Sequence, residues 1–184
     1  MLIYLAMLET EEERMSFAQY YEKHYGKCLA TANTITKNHA WAEEAVHNAV
    51  VRIIERKEKY FTEERKKSST TIVIMVKGES LNILKRENRL DHALLEDVEP
   101  FIDNAEPDVF RVIMGKEAVR RVEKHVSQLD LVNQTLYEMK YIQEMSDSEI
   151  AEIVGISVNA VATRIFRMRK SLIEILREEG YLDE

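Results

Sequence analysis

Three observations predict an all-α fold made of two small helical domains. Helix formers dominate and helix breakers are scarce, with five Gly and two Pro in 184 residues. Apolar residues recur at three- and four-residue spacing along most of the chain, which is the period of one buried helix face. Both prolines, Pro100 and Pro107, fall in a single acidic stretch, residues 91–108, that reads as a linker. The expected domains are therefore residues 1–90 and 109–184, each small but able to form its own core.

Composition narrows the function classes. Hydrophobic residues make up 45% of the chain and charges are well mixed among them, which excludes a disordered protein. The formal net charge of -7 argues at first against a nucleic-acid partner. However, the linker holds Asp91, Glu96, Asp97, Glu99, Asp103, Glu106 and Asp108 and no Lys or Arg. Removing those seven from the 33 acidic residues leaves 26, equal to the 26 Lys and Arg. The negative excess is thus local, and the rest of the chain is free to carry basic faces. A single cysteine, Cys28, cannot form an intramolecular disulfide and fits a reducing compartment. The opening MLIYLAML is apolar but has no basic region before it and no small-residue cleavage site, so it reads as a packing segment. No other run approaches membrane length, and a cytoplasmic location is expected.

Taken in order, Thr10-Glu11-Glu12-Glu13 is a capping box that starts a long amphipathic helix over residues 10–36, with Phe17, Tyr21, Tyr25, Leu29 and Ala32 near helical spacing. His24 and Cys28 sit one turn apart on it. That spacing suits a metal, but no second ligand pair follows, so we expect a core edge and no metal. A second helix spans about residues 40–58, with Ala42, Ala45, Val46, Ala49, Val50, Ile53 and Ile54 buried and Glu44, His47, Asn48 and Glu55 on the opposite face. The polar stretch at 59–70 mixes Tyr60 and Phe61 with Arg65, Lys66 and Lys67. Rings interleaved with cations suit single-stranded nucleic acid, because bases stack on rings while cations follow phosphates. A connecting loop with one ring tucked into the core fits the local pattern equally well. The IVIMV run in residues 71–89 could be a buried strand, but its continuation through Leu81, Ile83 and Leu84 favours a helix. That helix ends in Lys85, Arg86 and Arg89, which suit phosphate contacts and equally suit a helix C-terminus. Two more helices are expected at about 110–125 and 131–142.

The stretch SDSEIAEIVGISVNAVATRIFRMR, residues 146–169, has the clearest signals. Ser146 and Glu149 form a second capping box, Gly155 can take the left-handed conformation that closes a helix, and Ser157 caps the next one. In that next helix Val161, Ile165, Met168 and Leu172 mark one buried face, while Asn159, Thr163, Phe166, Arg167 and Lys170 project elsewhere, flanked by Arg164 and Arg169. A helical hairpin with a solvated basic face has the same outline. Cap, turn and basic face together favour a DNA-reading helix-turn-helix.

Over nearly its whole length the sequence resembles a bacterial RNA polymerase sigma factor of the sigma-70 family, of the compact extracytoplasmic-function type that keeps only regions 2 and 4. SEIAEIVGIS and AVATRIFRMRKSL are similar to the region 4 turn and helix, usually E-I-A-x-x-L-G-I-S and T-V-K-S-R-L-x-R-A-R. WAEEAVHNAVVRI resembles the A-E-D-L-V-Q-E-x-F-x-R helix of region 2, and SLNILKRENR the A-I-D-x-x-R-R end of its promoter-melting helix. The resemblance implies that Glu44, His47 and Asn48 meet the β′ clamp helices of core polymerase, with the β flap as a further contact. It implies that the 59–70 loop, with Tyr60, Phe61, Arg65, Lys66 and Lys67, holds flipped minus-ten bases while Lys85, Arg86 and Arg89 follow the backbone. Asn159, Thr163, Arg164, Phe166, Arg167 and Lys170 would then face the minus-thirty-five element, and the acidic linker would thread polymerase channels used by RNA. Many relatives are restrained by an anti-sigma factor, although no residue here requires one. Thr71, Gly78, Asn82 and His47 depart from the usual Trp, Asn, Asp and Gln, and Ala162 from a usual Lys or Arg. No catalytic constellation or cofactor motif is present in the sequence, so the chain is not expected to be an enzyme. The competing expectation is a helix-turn-helix regulator that acts without binding polymerase.

Overall fold

The computed structural model describes residues 2–66, 69–87 and 116–181. The protein is all-α: among the described residues every regular element is a helix. It divides into two compact units, Met1–Asp91 and His92–Glu184. The acidic linker and the start of the helix expected near residue 110 lie outside the described residues.

In the first unit, α1 (Leu2–Leu5) precedes α2 (Glu11–Thr36), whose Thr10 capping box has both reciprocal hydrogen bonds. Asn38 caps α3 (His39–Glu55), and two short helices follow, α4 (Lys57–Tyr60) and α5 (Glu63–Lys66). The apolar run continues as α6 (Thr70–Arg86), a helix throughout. The helices α2, α3 and α6 pack on one another around Phe17, Ala45, Ala49, Ile53, Met75 and Leu81, all essentially inaccessible to solvent. Alanines along α3 let its backbone approach its neighbours closely, and the larger side chains of α2 and α6 fill the space between them. The opening segment packs as its sequence suggests: Tyr4 and Leu8 are buried, and Arg14 donates to the carbonyls of Leu5 and Leu8, tying the turn after α1 to the first turn of α2.

One polar pair inside this bundle was not evident from the sequence. Glu79 on α6 is buried and accepts from Arg52 Nε on α3 at 2.9 Å. Glu79 lies one turn from both Met75 and Ile83 on the buried face, so its position in the apolar period was the available signal.

In the second unit, α7 (Lys116–Val126) leads to α8 (Leu131–Tyr137), which is capped by Asp130 and continued by one turn of π-helix, Glu138–Ile142. Then come α9 (Asp147–Val154) and α10 (Val158–Glu178). The long α10 packs on α7, α8 and α9 through Val161, Ile165, Met168, Leu172 and Leu176. No helix among the described residues is long and apolar enough to cross a membrane.

Candidate nucleic-acid interface

The α9–α10 corner is fixed by three local devices. Ser146 Oγ accepts from the Glu149 amide while the Glu149 carboxylate accepts from the Ser146 amide. Gly155 closes α9 at φ 70° and ψ 33°, where any other residue would be strained, and its N–H reaches the Ala151 carbonyl. Ser157 Oγ then accepts from the Ala160 amide and starts α10. Below the corner Ile150, Ile153, Val154 and Ile156 are buried, so the turn is anchored from the core side. A Lys140–Asp147 ion pair of 2.6 Å ties the π-helical turn to the first turn of α9. The angle at which α10 leaves the unit is therefore set by capping and packing together.

On α10, Asn159, Arg167 and Lys170 are exposed, and Phe166, Arg164 and Arg169 are half-buried. The Arg169 guanidinium lies 5.6 Å from the centre of the Phe166 ring, a cation–π spacing that fixes the ring's orientation. Burial draws the Arg164 pKa below its ordinary value; Asp130 opposes that shift and Arg167 adds to it. A guanidinium keeps its charge under such a shift, so the face remains cationic.

Thr163 is a correction. Its side chain is buried, and its hydroxyl donates to the Asn159 carbonyl at 2.8 Å. The buried face of α10 is wider than the four-residue stripe suggested, because Ala160 and Thr163 lie inside it as well. The back-bond satisfies the hydroxyl and lets the methyl pack, which removes Thr163 as a group facing a DNA groove.

Residues 120–172 match the family model for sigma-70, region 4. The match contains α8, the π-helical turn, α9 and the first two-thirds of α10. It supports a sigma-70 region 4 helix-turn-helix, a DNA-binding domain type, within that segment. No curated protein matches the chain significantly.

The second proposed DNA-contacting region lies in the first unit and looks different. Tyr60 is 1% exposed, so its ring belongs to the core and offers no stacking platform. Phe61 is half-buried and packs edge-on against Phe17 and Tyr20, with centroids 5.3 and 5.5 Å apart. Packing at the base of α4 therefore takes the Tyr60 ring into the core and places Phe61 at its edge. Arg65 is half-buried; its amide donates to Thr62 Oγ1. The Lys66 side chain, Lys67 and Arg89 lie outside the described residues. A cleft of about 490 Å³ beside Phe61 is lined by Glu12, Glu13, Glu58 and Glu63, with Lys57 among them. Lys57 is engaged by Glu13 at 2.8 Å and Glu9 at 3.4 Å. Carboxylates prevail on that side, so phosphates are repelled from it.

The proposed polymerase face on α3 has Glu44 and Asn48 half-exposed and His47 exposed. His47 Nδ1 hydrogen-bonds the Tyr4 hydroxyl at 2.9 Å, which attaches the opening segment to this face. Glu44 is held by Arg86 in a two-point bridge, which keeps its carboxyl below the usual range. Lys85 beside it is half-buried. His24 and Cys28 are both buried, and burial lowers the His24 pKa and raises that of the Cys28 thiol to about 11. Both are thereby kept neutral, as core side chains are, and no group of three or more potential metal ligands is found among the described residues.

Proposed function

We propose that the protein is a sigma initiation factor of the compact extracytoplasmic-function type. In this reading it acts by binding rather than catalysis, and it works in the cytoplasm. The C-terminal unit reads a minus-thirty-five element through Arg167, Asn159 and Lys170, with Phe166 available to a thymine methyl. The N-terminal unit binds core polymerase through the α3 face around Glu44, His47 and Asn48, and engages the minus-ten region through Arg65 and the basic end of α6, away from the acidic cleft beside Phe61. The observation that carries this reading is the capped α9–α10 corner. It presents an exposed Arg167 and Lys170 inside the segment that matches sigma-70 region 4.

The physical logic is divided labour. One helix-turn-helix makes too few phosphate contacts to hold DNA tightly at physiological salt. Two weak readers carried on one polymerase raise each other's effective concentration, so specificity belongs to the assembly. The test is run-off transcription on genomic DNA with core polymerase, with and without the protein. Discrete new transcripts are expected. Binding to DNA with no affinity for core polymerase would instead favour a regulator that uses the same helix-turn-helix alone.

A further inference from the structure

Two groups with different proposed partners are in contact within the N-terminal unit. Glu44 lies on the polar face of α3, and Arg86 ends α6. Arg86 Nη1 donates to Glu44 Oε1 at 2.6 Å and Nη2 donates to Oε2 at 3.0 Å. This is the forked geometry with which a guanidinium also grips a phosphate. Glu87 holds the remaining Nε at 2.9 Å. The edge that Glu44 covers is therefore the one suited to a phosphate. Arg86 is 51% exposed and Glu44 36%, so both ends are accessible to competing partners. Although forked, the bridge is open to solvent and screened by salt, so a competing charged partner can exchange with either end.

We propose that the Glu44–Arg86 bridge is a mutual mask that couples polymerase binding to DNA binding. The proposal rests on the polymerase reading given above. In the free chain the Glu44 carboxylate takes the place of a phosphate on Arg86, while Arg86 neutralises the carboxylate that polymerase would recognise. A cationic surface of polymerase that takes Glu44 releases the Arg86 fork to the DNA backbone. By linkage, DNA that takes Arg86 strengthens polymerase binding by the same factor. The mask lowers stray DNA binding by the free protein and is removed only in the assembly that needs the contact.

The test uses the full chain, the variants Glu44→Ala and Arg86→Ala, and the double variant, each titrated with fluorescein-labelled oligothymidine over a range of salt. Glu44→Ala is expected to tighten binding by the free chain roughly threefold. Its plot of log affinity against log salt should steepen by about 0.7, the signature of one added phosphate contact on a single strand. In the Arg86→Ala background the Glu44 substitution should leave that slope unchanged. With saturating core polymerase the slope difference between wild type and Glu44→Ala should vanish, because polymerase has already taken Glu44 from Arg86. An unchanged slope in Glu44→Ala overturns the mask, and so does an equal steepening in the Arg86→Ala background, which would be a general charge effect. A difference that persists undiminished with polymerase bound overturns the coupling. Failure of the polymerase reading is separately visible as a chain that forms no complex with core polymerase.

Discussion

The two regions assigned to DNA differ in what their side chains already do. On α10 the basic residues Arg167 and Lys170 extend from a helix whose opposite face is fully committed to the core, so the exposed basic face is separate from the packing face. Around α4, α5 and the end of α6 the same kinds of residue are drawn into the fold: Tyr60 is buried, Phe61 packs on Phe17 and Tyr20, and Arg86 is held by Glu44 and Glu87. A region of the first kind can be altered without harm to the fold. In one of the second kind, recognition and stability depend on the same side chains.

The largest expected effect is on stability in the second kind of region. Tyr60→Ala should cost the N-terminal unit about 3 to 5 kcal/mol, because it empties a buried aromatic site, measured by denaturant unfolding of the full chain. A loss within about 0.5 kcal/mol, the range of ordinary surface substitutions, would return Tyr60 to the surface and break the comparison. Arg167→Ala should do the opposite. Promoter affinity of the holoenzyme should fall by about 1 to 3 kcal/mol if Arg167 makes a forked base contact, with the unfolding midpoint unchanged. Unaltered promoter selection would remove Arg167 from the reading face. The smallest effect belongs to Thr163→Val, a near-isosteric change at a buried position whose hydroxyl bonds only within its own helix turn. Stability should fall by about 0.5 to 1.5 kcal/mol, the net worth of the one hydrogen bond that is lost, and promoter choice should not move. An altered promoter preference would show that Thr163 reaches DNA after all.

Most of this architecture was legible from the sequence, because local chemistry decides it. Thr10, Ser146, Ser157 and Gly155 act through hydrogen bonds and backbone conformation within a few residues of themselves, so their roles follow from spacing alone. The long apolar run of α6 was recognisable as a helix because its period continued past the ambiguous IVIMV. What was not legible depends on distant partners. Tyr60 and Phe61 are adjacent and chemically alike, and only the tertiary packing of the bundle determines that one is buried and the other stands at the edge against α2. Thr163 appeared polar by type, yet its hydroxyl is satisfied within its own helix and the residue joins the core. Arg52 and Glu79, and likewise Glu44 and Arg86, are far apart in the chain and meet only when α3 packs on α6. The candidate site was therefore clearest in the C-terminal unit, where the reading face and its supports share one short stretch.

Most directly, the central claim is tested by a hydroxyl-radical footprint of the holoenzyme on a promoter recovered by run-off transcription, with wild-type protein and with Arg167→Ala. Protection is predicted at two separate places on the same promoter, the upstream one weakened by Arg167→Ala and the downstream one retained. A footprint confined to one place, or an upstream patch indifferent to Arg167, would contradict the account.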